Sequence, residues 1–300
     1  MPRISVVIVN WNTRDYLRTC LCSLVGAVPS AALRTGREPP LQEIIVVDNA
    51  SGDGSALMAA NEFPRVRLIR NQRNIGYAAA NNQGIRASKG DYIMLLNPDA
   101  WVQKGCLQSL ARFLDGNPRA AAAAARLLNP DGSLQQSVRS FPAPLPLIFD
   151  ALGLARLFPR SRVLAAYRMT WWDHSEVRQV DQPMASALML RRKALDEVGL
   201  FDERFPLYFN DVDLCLRLKR AGWKIFYLPH AVCVHHVAAS TAQVRCAAIA
   251  ESHRSLLRFY RKHYRAIPLP IYVFCALVIT VSGWIRVIRC GIHEKASDRN

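Results

Sequence analysis

The chain has 300 residues, about half of them apolar (51%), with 39 Lys and Arg against 23 Asp and Glu, a net charge of +16. Such length and apolar content exclude a disordered chain or a minimal single-core module and suit one large α/β domain with additions. The charge asks for an anionic partner, and without recognition-helix or zinc-finger spacing that partner is not read as nucleic acid.

In chain order, "ISVVIVN" (4–10) is a buried-strand run and "RDYLRTCLCSL" has helical spacing. A loose stretch with Gly26, Pro29, Gly36, Pro39 and Pro40 precedes a second strand, "EIIVVD", ending at Asp48. Helix, strand, helix and strand follow in "GDGSALMAANEF", "RVRLIR", "YAAANNQGIRAS" and "DYIMLL". This alternation is that of a parallel sheet flanked by helices. "KGCLQSLARFLDGNP" reads as a helix, and "RAAAAAARLL" as a strand because "NPDGS" follows it as a hairpin-type turn. Residues 139–180, broken by Pro142, Pro144, Pro146 and Pro159, read as an irregular segment able to cover a site, with Trp171 and Trp172 (and Trp223 beyond it) able either to stack on sugar faces or to fill the core. "MASALMLRR" resumes strand character, and "KALDEVG" is a short helix. "DVDLCLRLKRAG" is a helix closed by Gly222, and "WKIFYLP" a further strand.

The tail differs. A basic amphipathic helix, "AAIAESHRSLLRFYRKHY", leads into "IPLPIYVFCALVITVSGWI" (267–285), which carries no charge over its 19 residues. That is close to the ~20 residues a membrane-crossing helix needs. Arg258, Arg261, Lys262 and Arg265 before it and Arg286 and Arg289 after it leave orientation open, as between spanning, lying on the surface and burial. The eight cysteines show no paired CxxC sets and read as reduced thiols, mostly core filler. The N-terminal apolar piece is too short and too weakly flanked for a secretory signal.

Ligands of an open parallel sheet bind at the carboxyl ends of its strands. Those ends read "VNWNTRD", "VVDNASGDGS" and "LLNPDA", with "NQRNIGYAAANNQG" after the third strand. Asp48 and Asp99 therefore share one edge, where carboxylates can accept from a nucleoside or bind a hard cation. The ordered set "ISVVIVNWN", "VVDNASGDGS", "NIGYAAANNQGI", "LLNPDA" and "ALMLRRKALDEVGLFDERFPLYFNDVDLCLRLKRAGWKIFYLPHAVCVHH" resembles family 2 glycosyltransferases of the GT-A fold over residues 3–240. Its wording is most similar to bacterial rhamnosyltransferases acting on cell-surface polysaccharides.

The resemblance implies a division of labour. Residues 1–240 would form the catalytic domain, with a nucleotide-sugar half (1–130) and an acceptor half (131–240), and residues 241–300 a basic and hydrophobic helical extension. Asp99 would hold Mg²⁺ or Mn²⁺ against the donor diphosphate, helped by His235. Main chain of Val9, Asn10 and Trp11, with Asp48, would meet the nucleoside, and Asn74, Gly76 and Asn81 would wall the site. Asp211 would be the base that activates the acceptor hydroxyl, with Asp213 supporting it. Read without the resemblance, Asn210 is a helix N-cap and Asp211 and Asp213 complement the helix dipole. Two positions depart from the family pattern: Asn97 stands where the metal motif usually has its first Asp, and "MASA" (184–187) where a Gly-Ala pair is common.

The implied activity is inverting transfer of a sugar, rhamnose by resemblance, from dTDP-rhamnose or a UDP-sugar to a lipid-linked or glycan acceptor. It would take place on the cytoplasmic face of the inner membrane. The alternative is a non-catalytic nucleotide-sugar or glycan-binding protein on the same fold, with Asn97 and Asn210 as signs of decay.

Overall fold

The computed structural model describes residues 3–26, 41–237 and 239–297. Residues 27–40, which hold most of the loose stretch, lie outside them. The first half alternates as the sequence reads: β1 (Ile4–Asn10), α1 (Arg14–Gly26), β2 (Leu41–Asp48), α2 (Ser55–Glu62), β3 (Arg67–Arg70), α3 (Tyr77–Ala87) and β4 (Tyr92–Leu96). The second half contains β5 (Ala100–Val102), α4 (Cys106–Gly116), β6 (Ala120–Leu128), β7 (Val138–Arg139), α5 (Pro144–Ala151), α6 (Leu154–Leu157), β8 (Arg178–Gln179) and β9 (Gln182–Pro183). It continues with β10 (Ala187–Arg191), α7 (Arg192–Val198), α8 (Asn210–Arg220), β11 (Lys224–His235), α9 (Arg245–His263) and α10 (Leu269–Ser297).

The main sheet runs β3-β2-β1-β4-β10-β6-β11-β5, with β8 also pairing β11. The first four strands are parallel, as their helical crossovers require. β10 then enters antiparallel between β4 and β6, so the sheet is parallel from β3 to β4 and mixed beyond it.

Strand pleating explains why these runs are apolar without a break. Val6, Ile8, Met94 and Leu96 face one side, packing on Leu17, Leu21 and Leu24 of α1 and Leu110 and Leu114 of α4. Their neighbours Val7, Ile93 and Leu95 face the other, against Ile85 of α3, Leu195 of α7 and Leu214 and Leu218 of α8. Each fully buried leucine contributes about 2 kcal/mol relative to exposure. The alanine run of β6 is buried at the sheet centre, where ladder pairing on both sides overrides alanine's weak strand preference.

Residues 139–180 are more ordered than the prolines suggest. Pro144 opens α5, where its missing N–H costs no helical bond. Met169 and Trp172 are buried in the second core layer, Trp172 stacked on His174 at 4.1 Å. Trp171 and Trp223 pack against that same layer, so the sugar-stacking expectation for these tryptophans gives way to core packing.

The thiols also differ from expectation. Six cysteines are free, five of them buried, but Cys246 and Cys290 form a disulfide joining α9 to α10.

Gly84 shows how closely the layers meet: an added Cβ would lie 2.4 Å from Val7 Cγ1. Alanine ordinarily favours a helix over glycine by about 1 kcal/mol, but here the clash falls on a β-branched side chain locked in the sheet. Gly84→Ala is therefore expected to destabilise the fold by ~1–3 kcal/mol in denaturant titration; a rise in stability would refute this packing.

Candidate active site

The carboxyl edge of β1, β2 and β4 carries the nucleotide-side residues. Asn10 and Asp48 are register partners at the ends of β1 and β2. Asn10 Nδ2 donates to Asp48 Oδ1 at 3.0 Å and to Ser51 Oγ at 3.0 Å, while its Oδ1 accepts from Thr13 at 2.7 Å. Asp48 Oδ2 accepts the Ser51 N–H at 3.1 Å. Both residues are buried, so these bonds fix the carboxylate and the Val9–Trp11 backbone beside it.

The wall beyond is held by Asn49, which the sequence reading passed over. Asn49 Nδ2 donates to Asn74 Oδ1 at 2.7 Å, and its Oδ1 accepts from Asn71 and from the Ile75 N–H, each at 3.1 Å. Asn74 Oδ1 also takes the Gly76 N–H at 2.9 Å. Gly76 has φ 87°, and a Cβ there would lie 3.0 Å from the Pro206 carbonyl oxygen. That same oxygen accepts the N–H groups of Tyr77 and Ala78 at the start of α3, at 2.6 and 3.2 Å. The loop before α8 thus caps α3 from across the cleft. Asn81, one turn on, donates to the Tyr77 carbonyl at 2.9 Å and is buried.

Asp99 and His235 meet through β5, a three-residue strand too short to show in the sequence pattern. β11 continues past Pro229 through a register shift between Leu228 and Val232 and pairs with β5, His235 opposite Ala100. The expected strand "WKIFYLP" is therefore the first half of a 12-residue strand. The Asp99 carbonyl accepts the His236 N–H at 2.8 Å, and His235 Nε2 lies 3.3 Å from Asp99 Oδ1.

The tautomer follows from Gln135, also missed in the sequence. Its amide nitrogen donates to Asn129 Oδ1 (2.9 Å) and the His235 carbonyl (3.2 Å), so its oxygen faces His235 Nδ1 at 2.7 Å as an acceptor. Nδ1 then carries the proton, and in the neutral ring Nε2 presents a lone pair to Asp99. Asp99 Oδ1 is buried and receives no hydrogen bond. A carboxylate oxygen and an imidazole lone pair facing each other fit a shared cation. Asn97 borders the pair. Its Nδ2 donates to Ser186 Oγ at 3.1 Å and lies 3.4 Å from His235 Nε2, while its Oδ1 accepts from Tyr77 Oη at 3.1 Å. Burial, with Asp211 and Asp99 nearby, raises the Tyr77 phenol well above its ordinary value.

Asp211 sits in the first turn of α8. Its Oδ1 accepts the Val212 N–H at 2.8 Å, and its Oδ2 faces the Ala185 N–H at 3.4 Å. Ser186, the next residue, bonds Asn97 through both backbone and hydroxyl. The "MASA" segment therefore separates Asp211 from the Asn97–Asp99 turn by one peptide unit. Burial raises the Asp211 carboxyl above its ordinary 3.8. The helix cap is not Asn210. Phe209 occupies that position at φ 65°, a strained conformation for an aromatic residue. Asn210 instead donates back to the Leu207 and Phe205 carbonyls.

Asp213 points elsewhere. Fully buried, it receives Arg217 Nε at 2.8 Å, Lys262 Nζ at 2.6 Å and His263 Nε2 at 2.7 Å, tying α8 to α9. These donors hold its carboxyl below the ordinary 3.8, against the opposing effect of burial. Asp213→Ala is expected to cost about 3 kcal/mol, since it removes the buried carboxylate at the centre of the ion cluster that ties α8 to α9. A depressed carboxyl pKa stabilises the fold above the unfolded value and loses that contribution as pH falls through the folded value. The variant's deficit in thermal unfolding should therefore be full at pH 7 and shrink below about pH 4. A pH-independent deficit would contradict an ionic role.

Comparison with known proteins agrees with this geometry. The model of glycosyl transferase family 2 matches residues 5–174, and that of glycosyl transferase family group 2 matches residues 165–286. An N-acetylglucosaminyl-diphospho-decaprenol L-rhamnosyltransferase of Mycobacterium tuberculosis is 34% identical over 268 residues, covering 85% of this chain and 83% of the relative. Among solved structures, the mannosyltransferase PcManGT from Pyrobaculum calidifontis, in complex with GDP-Man and Mn²⁺, superposes with a TM-score of 0.59 at 16% identity over 99% of this chain and 75% of that one. GalNAc-T7 with UDP, GalNAc and Mn²⁺ superposes with a TM-score of 0.57 at 16% identity, over 78% of this chain and 44% of that one. The chain is a glycosyltransferase with the GT-A fold and belongs to glycosyl transferase family 2.

Proposed function

We propose that the chain transfers rhamnose, with inversion, from a nucleotide-sugar to a lipid-linked acceptor on the cytoplasmic face of the inner membrane, in cell-envelope polysaccharide synthesis. Residues 1–240 form the transfer domain in this reading, and residues 241–300 its membrane-facing extension. The rhamnose and the lipid-linked acceptor come from the mycobacterial relative, whose name specifies both; dTDP-rhamnose is the first donor to test and UDP-sugars the next. The observation that carries the reading is the pair of carboxylates either side of Ala185–Ser186: the donor-free oxygen of Asp99 and the raised carboxyl of Asp211.

In this mechanism Asp48 and the Val9–Trp11 backbone hold the nucleoside, and Asn74, Gly76 and Asn81 close the wall beside it. Asp99 Oδ1 and His235 Nε2 would hold Mg²⁺ or Mn²⁺, which would supply positive charge to offset that gathering on the departing diphosphate. Asn97, which cannot bring a second carboxylate, donates an amide proton to Ser186 Oγ and so ties that turn to the segment before β10, leaving the His235 Nε2 lone pair for the cation. Asp211 takes the proton of the acceptor hydroxyl as its oxygen attacks the anomeric carbon. The bond from that carbon to the diphosphate oxygen breaks on the opposite face, which inverts the configuration. Asp213 acts only by holding α8, and hence Asp211, against α9.

Three results test this. Purified protein should release nucleoside diphosphate only when a polyprenyl-diphosphate sugar acceptor is present, and Asp211→Asn should lower kcat by ~10²–10⁴-fold with donor Kd unchanged. A wild type that binds donor yet never turns it over with any such acceptor would instead favour a glycan- or nucleotide-sugar-binding role. Because Asp211 must be ionised to act and burial raises its pKa, activity should fall on acidification through a value above the ordinary 3.8; an acid limb at or below that value would remove Asp211 as the base. Gln135→Leu, which leaves His235 Nδ1 without its acceptor, should weaken Mn²⁺ binding about 10–100-fold by calorimetry, and unchanged affinity would take His235 out of the metal site.

A further inference from the structure

We propose that α10 does not cross a membrane but lies flat on an anionic bilayer, one face on the protein and the opposite face in the lipid. By length and composition alone, the 24 residues Leu269–Ile292 could span. Its packing argues otherwise. α10 runs antiparallel along α9 and meets it at three levels: Cys275 and Ile279 cluster with Phe259 and Tyr260, Gly283 abuts His253, and Cys290 is bonded to Cys246. At the middle level a Cβ on Gly283 would lie 2.9 Å from the His253 ring. α9 is thus beside α10 over most of its length, and α9 cannot follow it into lipid. It carries Glu251, Arg254, Arg258 and Arg261, and its last turn is bound to the catalytic domain through Lys262 and His263 on Asp213.

The helical repeat of α10 separates two stripes. At ~100° per residue, Cys275, Ile279, Gly283 and Cys290 fall on one side, all buried. Phe274, Leu277, Val281, Trp284, Ile288 and Ile292 fall roughly opposite, all exposed. Such a continuous exposed apolar stripe marks an interaction surface. α5, which packs on α10, adds exposed Leu145, and Leu152 follows it. Charge selects the occupant. Arg254 of α9 and Arg289, on the flank of the stripe, are exposed, and among the described residues no carboxylate pairs with them. They would repel a second copy of a +16 chain and attract anionic headgroups. Docked this way, α9 sits between bilayer and active site, with Phe259 5.8 Å from Phe209, two residues before Asp211.

The purpose of this surface rests on the lipid-linked acceptor proposed above, but its test needs neither donor nor acceptor, so the two readings can fail separately. The full chain should co-sediment with vesicles of phosphatidylcholine containing phosphatidylglycerol, and at least tenfold less with phosphatidylcholine alone. The exposed triple variant Leu277→Glu, Val281→Glu, Ile288→Glu should lose binding while keeping the wild-type melting temperature; if it melts early, Arg254→Gln with Arg289→Gln, which should remove the anionic preference, serves instead. Trp284 should be quenched by lipids brominated near the headgroup rather than at the chain ends. In inverted inner-membrane vesicles a C-terminal epitope tag should stay open to added protease. A protected tag or quenching at the bilayer centre would mean a spanning helix and overturn the proposal. So would vesicle binding that the variants leave intact, or a dimer abolished by the triple variant in a protein that ignores vesicles.

Discussion

The architecture turns on one strand. β10 runs antiparallel between β4 and β6 and joins a parallel first half of the sheet to a mixed second half. The residues just before it, Ala185 and Ser186, contact Asp211 on one side and Asn97 on the other. Ladder hydrogen bonds on both edges of β10 set where these two groups stand, so the distance between them is a property of the sheet rather than of a loop. The Pro206 carbonyl that caps α3 adds a second tie across the same cleft.

The polar groups of the site are organised from behind. Asn10 and Ser51 fix Asp48, Asn49 fixes Asn74, and Gln135 fixes His235. Each supporting side chain is an amide or hydroxyl whose donors and acceptors are used within the protein. In a buried site such satisfied networks hold the groups in front of them in one orientation. Asp99 Oδ1 is the exception, a buried carboxylate oxygen without a donor.

The C-terminal helices are part of this design. α9 reaches α8, the helix that carries Asp211, through the Asp213 ion cluster and through Phe259 against Phe209, whose backbone is strained at φ 65°. Strain of this kind persists only where packing over-determines it. The position of Asp211 therefore depends on α9, and α9 is bonded to the helix that bears the apolar surface.

Much of this was legible in the chain. Unbroken apolar runs ending in Asp48 and Leu96-Asn97-Pro98-Asp99 state a sheet buried on both faces with polar residues at one edge, because pleating and parallel crossovers allow little else. The ordered motifs carried the family, and the order of helices and strands followed from their periodicity. Tertiary structure decided the rest. The pairing of β5 with β11 is a long-range match of three residues that no local pattern encodes, yet it alone brings His235 to Asp99. Local rules favoured Asn210 as the cap and left Asp213 beside Asp211, whereas packing put Phe209 at the cap and turned Asp213 to α9. Nor could composition say whether residues 267–285 enter, cross or avoid lipid: hydropathy measures how apolar a helix is, and only its neighbours determine which face is left to show it.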